Sequence, residues 1–142
     1  MTPRDLGAAR EKLIALFNSA PIIQSFGMKL SYDEAGRALV RLPFNPNFDH
    51  AFHQIHGGVM ATMLDTAGWF TAAPHFDNWI ATVEFQTRLL EPVEKVDLVA
   101  AGRIVRLGKR IAVCEMEVRT AAEKLIALGA GTFTATSVPA KW

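Results

Sequence analysis

Asp65 is the one acid in an otherwise apolar run, "HQIHGGVMATMLDTAGWFTAA" (residues 53–73), which is entered through His56-Gly57-Gly58. A glycine pair followed eight residues after Gly57 by a lone carboxylate suits chemistry at a carbonyl carbon, such as acyl transfer. That chemistry needs donors aimed at the oxygen that becomes an oxyanion, and a base or nucleophile that brings in water or attacks directly. If a helix begins at the glycines, the Gly57 and Gly58 N–H groups lack intrahelical partners and lie at the positive end of its dipole. The missing side chains also let a carbonyl come close. Asp65 supplies the carboxylate, and burial should raise its pKa by desolvation unless hydrogen bonds oppose it.

Eight helical residues span roughly 12 Å at about 1.5 Å each, so one helix cannot present both groups to one carbonyl. The reacting atom must lie about 3 Å from each. Asp65 is therefore expected to work with Gly57 of a second chain, across a two-fold interface with antiparallel helices. Other readings compete. Asp65 could be a structural acid paired at a helix–helix contact, and His56 a core or loop histidine. His50, His53 and His56 at three-residue spacing invite a metal site. The Asn-Pro-Asp composition of "NPNFDHAFHQ" contradicts the helical face such a site would need, and no Cys or acid completes the set, so neither metal nor cofactor is expected.

The elements that must hold these groups can be read from the pattern. Thr2-Pro3-Arg4-Asp5 resembles a helix start with Thr2 as cap, and Leu6, Ala9, Leu13, Leu16 and Phe17 continue at helical spacing to Pro21. "MKLSYDEAG" and "RALVRLPF" alternate around a turn at Asp33 to Gly36 and predict a hairpin. The apolar run predicts the one long, nearly all-apolar helix, Gly58 to Ala73. Four strands follow, "WIATVEFQTRLL", "VDLVAAGRIVRLG", "RIAVCEMEVRTA" and "EKLIALGAGTFTATSV", with turns at Glu91 to Lys95, Gly108-Lys109 and Ala121-Ala122. The expected fold class is α+β: one long central helix wrapped by a curved antiparallel sheet, with an extra N-terminal helix.

The chain has 142 residues, the size of a single domain (1–142), and half of them are apolar. A formal net charge of +1 gives no global field to draw in nucleic acid or an acidic membrane. The longest apolar run, Val59 to Ala73, contains Asp65 and falls short of the about 20 residues of a membrane span. Cys114 has no second cysteine with which to form an internal disulfide, and the N-terminus lacks a signal-peptide pattern, so the expected location is cytoplasmic.

The order helix, hairpin, loop, "HGGVMATMLDTAG" and four strands resembles the hotdog fold, specifically the phenylacetate-pathway (PaaI-like) acyl-CoA thioesterases. "TVEFQTRLLEP" and "RIVRLGKRIAVCEMEV" are similar to that family's proline-ended strand and its pair around a Gly-basic turn. The resemblance implies two sites per homodimer at the subunit interface, and often a dimer of dimers. It places Gly57 as carbonyl donor with Gly58 beside it, Asp65 as nucleophile or general base, and His56 in an orienting role against the thioester. Thr82 falls where the family often carries a hydroxyl near the water or carboxylate. Two positions depart from the family: His50 stands where Asn or Gln is usual, and His53 where Gly is common. A neutral imidazole at His50 can donate one hydrogen bond and accept another, and would add a pH dependence. For the CoA half, Arg106, Lys109 and Arg110 around Gly108 offer phosphate contacts. The acyl group would lie near Met60, Met63, Leu64, Trp69 and Phe70, with Trp69 limiting its size. An aryl- or medium-chain acyl-CoA is the expected substrate. The rivals are a non-catalytic acyl-CoA-binding or sensing module on the same fold, and a hotdog dehydratase or hydratase with a His–acid pair poised at the acyl β-carbon.

Overall fold

The computed structural model describes residues 3–142. Helix α1 (Leu6–Ser19) buries Ala9, Leu13 and Phe17 along one face. Its cap is Asp5, whose carboxylate accepts the Ala8 N–H at 3.0 Å, so the helix starts later than the Thr2-Pro3 reading has it. A carboxylate at the positive end of a helix is the stronger acceptor, which accounts for the shift. Thr2 itself lies outside the described residues. Pro21 then restarts the chain as a short helix α2 (Pro21–Phe26), closed by Gly27 at φ 72°. The sequence reading has no counterpart for it, since six residues are too few to show a period.

Strands β1 (Lys29–Tyr32) and β2 (Ala38–Leu42) form the expected hairpin. Helix α3 (Gly57–Ala72) follows a loop containing one 3-10 turn, and four long strands complete the chain: β3 (Asn78–Leu89), β4 (Leu98–Leu107), β5 (Ile111–Thr120) and β6 (Leu125–Pro139). All pairings are antiparallel, in the order β1-β2-β4-β5-β6-β3. This is the long helix wrapped by one sheet that defines a hotdog fold.

The link at Glu91 to Lys95 is a crossover, not a hairpin turn. Strand β3 pairs with β6, and β4 lies three strands away between β2 and β5. The crossover passes the start of α3, where the Ile55 N–H donates to Val93 O at 3.1 Å. Strand β3 is consequently an edge, with 12 residues and one unpaired side.

Alternate residues of β5, Ala112, Cys114, Met116 and Val118, face α3 and are buried. Met63, Leu64 and Ala67 meet them from the helix. Close packing depends on Gly102: a Cβ there would lie 2.6 Å from Ala67 O and 2.4 Å from Thr71 Oγ1. Burial pushes the Cys114 thiol up to about 12, which leaves it a core residue without nucleophilic character.

Candidate active site

His56 caps α3. Its Nδ1 accepts the Gly58 N–H at 2.8 Å, and its own carbonyl accepts the Val59 N–H at 3.0 Å. The acceptor role requires an unprotonated Nδ1, so the neutral ring carries its proton on Nε2. The sequence treats Gly57 and Gly58 as equivalent donors, but the cap separates them. Gly58 N–H is engaged by His56, whereas Gly57 N–H donates to no protein group among the described residues.

Gly57 lines a recess of about 310 Å3 with His50, Ile55, Met60, Leu89, Leu90, Glu91 and Pro92. Leu89 covers the glycine so closely that a Cβ on Gly57 would come within 2.4 Å of Leu89 Cδ1. The crossover after β3 thus builds one wall of the recess. Leu89, Leu90 and Pro92 were not read as site residues. The available signal was a pair of leucines ending a strand just before a proline.

His50 reaches the recess from a loop clamped at its base by the Asp49–Ile55 bridge and the His50 N–H to Gln54 O bond of 2.9 Å. His50 Nδ1 accepts the Phe52 N–H at 3.1 Å, leaving Nε2 as its outward donor. His53 sits at φ 60°, the left-handed region that favours glycine. The three histidines therefore have separate local tasks. No group of three or more metal-ligating side chains gathers among the described residues.

Two turns along α3, Asp65 Oδ1 accepts a hydrogen bond of 2.8 Å from Thr82 Oγ1 on β3. Burial raises the Asp65 pKa, and the Thr82 bond opposes that rise. A half-buried carboxylate with one oxygen held and the other free of partners among the described residues can act on a carbonyl or on water.

The structure brings His50, His56, Gly57 and Gly58 together at one end of α3, and Asp65 with Thr82 in its middle. Gly57 and Asp65 remain two turns apart, roughly 12 Å along the helix. Arg106, Lys109 and Arg110 are exposed around the β4–β5 turn, with Gly108 closing it through its N–H to Ile111 O at 2.8 Å. In register, Thr82 lies level with Phe133, Ala112 and Leu107. The basic turn is thus at the Thr82 end of the sheet but about three strand spacings, some 14 Å, across it. It touches neither Asp65 nor Gly57 within the chain.

A larger groove of about 440 Å3 lies on the other face of the sheet, where Arg37, Arg88, Arg103, Glu115 and Glu117 line it. The Arg103–Glu115 ion pair occupies part of its charge, and neither Gly57 nor Asp65 borders it.

The sequence pattern of the thioesterase superfamily matches residues 52–127, more than half of the chain and the whole of α3 through β5. The chain belongs to the thioesterase superfamily. A Saccharolobus solfataricus protein that carries an esterase name is 31% identical over 120 residues, covering 83% of this chain and 86% of its own. Among solved structures, the Escherichia coli PaaI protein of the phenylacetic acid degradation operon superposes with a TM-score of 0.86. It covers 95% of this chain and 99% of its own at 18% identity. A Haemophilus influenzae thioesterase gives 0.81 at 20% identity, covering 89% of each chain. At these identities the two structures show the shared hotdog fold. Superfamily membership makes thioester hydrolysis the chemistry that the α3 groups have to be fitted to. No helix among the described residues is long and apolar enough to cross a membrane.

Proposed function

We propose that the protein is an acyl-CoA thioester hydrolase of aryl- or medium-chain acyl groups, acting as a homodimer whose sites combine Gly57 of one chain with Asp65 of the other. The carrying observation is the division of labour along α3: the Gly57 N–H, without a protein acceptor among the described residues, in a recess at its start, and one hydrogen-bonded carboxylate two turns later. An antiparallel two-fold pairing of α3 joins the two ends twice. Strand β3 supplies a route to it, because its free edge exposes Val83, Leu89 and Trp79 and leaves a row of backbone groups unpaired.

In this dimer the Gly57 N–H donates to the thioester oxygen and strengthens its hold as negative charge gathers there. Asp65 then acts in one of two ways. As nucleophile, its oxygen bonds to the carbonyl carbon, the C–S bond breaks with its electron pair leaving on CoA, and water cleaves the resulting anhydride. As general base, it takes a proton from water while the water oxygen bonds to the carbon, and the CoA thiolate departs and is protonated. The raised pKa brings the carboxyl nearer working pH, which suits the base role. His56 fixes the first turn of α3, and His50 Nε2 offers a second donor at the recess. Arg106, Lys109 and Arg110 fit the nucleotide phosphates as exposed cations.

Free-thiol release from a panel of aryl-, short-, medium- and long-chain acyl-CoAs, comparing wild type with Asp65→Asn, tests the proposal. Turnover lost in the variant with ester binding retained supports it. Binding of esters by the wild type without any turnover would replace it with an acyl-CoA sensing role. An equilibrium sedimentation mass of one chain would remove the shared site.

A further inference from the structure

All three tryptophans of the chain meet at the end of α3 opposite Gly57. The ring centroids of Trp69 and Trp79 are 5.1 Å apart, and each lies 5.7 Å from Trp142. Their positions follow the Asp65–Thr82 pair. Trp69 is four residues beyond Asp65 on the same face of α3. Trp79 stands three residues before Thr82 on β3, where an irregularity in the pairing between Asn78 and Ile80 frees it from simple alternation. Ile80 enters the core while the Trp79 ring packs on Trp69.

The wall is anchored. Trp69 Nε1 donates to Ile80 O at 2.9 Å, and Trp142 Nε1 to Ala73 O and Phe76 O at 3.0 and 3.2 Å. The Arg4 guanidinium binds the same turn through Phe76 O at 2.6 Å. With two indole N–H groups used on backbone carbonyls, the wall presents mostly aromatic carbon.

The face of α3 leading to it offers few free polar groups. Ala61, Thr62, Asp65, Thr66 and Trp69 form its partly exposed stripe. Thr62 Oγ1 donates back to Gly58 O at 2.9 Å and Thr66 Oγ1 to Thr62 O at 2.7 Å, so both hydroxyls are satisfied within the helix. Asp65 is the one charged group in this lane. The pantetheine arm of CoA carries amides and a hydroxyl that such a wall would leave unpaired, whereas an acyl chain has no polar group to satisfy there.

We infer that Trp69, Trp79 and Trp142 together form a length stop for the acyl group, restricting the site to compact acyl chains. The inference rests on the proposed thioester site at Asp65 and narrows its substrate range to single-ring aryl and short acyl groups, setting the medium chains aside. One helical turn separates Asp65 from Trp69, about 6 Å, room for about four or five carbons or a single ring. A longer straight chain would have to displace an anchored indole. The sequence points to Trp69 alone; the edge-strand irregularity and the return of Trp142 across the fold complete the wall.

The test compares kcat/KM for octanoyl-CoA against butyryl-CoA in wild type, Trp142→Ala, Trp79→Ala and Trp69→Phe, with thermal melts to identify folded variants. Dissociation constants for both esters are measured alongside from indole fluorescence, so that length selectivity is read independently of turnover. The wild type is expected to prefer butyryl-CoA. In the alanine variants the octanoyl-to-butyryl ratio should rise at least tenfold, since each additional buried methylene is worth about fourfold. Ratios within twofold of wild type in folded variants, in kinetics and binding alike, would overturn the stop and direct the acyl group away from the tryptophans. Wild type that binds with this length preference but does not hydrolyse supports the stop while removing the hydrolase reading. Wild type that binds neither ester overturns both.

Discussion

Thr82 on the edge strand donates its hydroxyl to Asp65 on the central helix at 2.8 Å, tying β3 to α3. The bond also sets the acid's charge state. Burial raises the Asp65 pKa and Thr82 restrains it. Thr82→Val should let it rise further, moving the acid limb of the kcat/KM profile to higher pH, while Thr82→Ser leaves the limb near wild type. A limb that does not move in the valine variant would show that the limb belongs to another group.

Asp65→Asn should lower turnover by about 10²–10⁴-fold, the usual worth of a positioned acid or base. It should also stabilise the fold at neutral pH. A carboxyl whose pKa is higher folded than unfolded holds its proton more tightly in the native state. Its contribution is most favourable below the unfolded value near about 3.9 and is lost as pH rises through the raised folded value. The asparagine does not ionise, so its advantage over wild type should grow through that window and then level off. Urea melts across pH 3–7 measure this, and an advantage that shrinks with rising pH would contradict the assignment.

The helix that carries the candidate site was legible because one acid in an apolar run after His-Gly-Gly is a local pattern. The strand identities were legible for the same reason. The place of β3 was not: it pairs with β6, whose partner residues lie 38 to 61 positions later, and nothing in "TVEFQTRLLEP" records which neighbour it takes. That pairing turns Glu91 to Lys95 into a crossover and builds the recess at Gly57. The difference between Gly57 and Gly58 was hidden too, because it depends on the rotamer of His56.

Gly57→Ala isolates the recess. Its methyl would meet the tip of Leu89 at 2.4 Å, and a flexible leucine end can move, so the fold should survive. The added methyl blocks close approach of a carbonyl to the Gly57 N–H, and kcat should fall by about 10²–10³-fold, as for loss of an oxyanion donor. Gly57→Ala with Leu89→Ala gives the methyl room but should not restore the rate. Recovery in the double variant would mean that Leu89, not the N–H, governs turnover.

The His56 cap separates geometry from chemistry. His56→Ala should cost about 1 kcal/mol of stability, because the Gly58 N–H loses its acceptor. His56→Asn supplies another capping oxygen and should return stability to near wild type. Turnover should fall in the order wild type, Asn, Ala, because the asparagine restores the first turn but not the imidazole Nε2–H. Equal stability of the Ala and Asn variants in chemical denaturation would show that the cap carries no weight.

His53 bears on the loop that delivers His50. At φ 60° its backbone occupies a region costly for a side chain with a Cβ, and glycine adopts it freely. The position is held on both sides, by the His53 N–H to His50 O bond of 2.9 Å and by the Asp49–Ile55 bridge. The backbone therefore cannot relax without opening the loop. Glycine is the residue this conformation favours. His53→Gly should raise stability by up to about 1 kcal/mol, the relief of strain exceeding the greater freedom of glycine in the unfolded chain. The denaturation midpoint reads the effect. A lower midpoint would show that the His53 imidazole contributes a contact worth more than the strain its backbone carries.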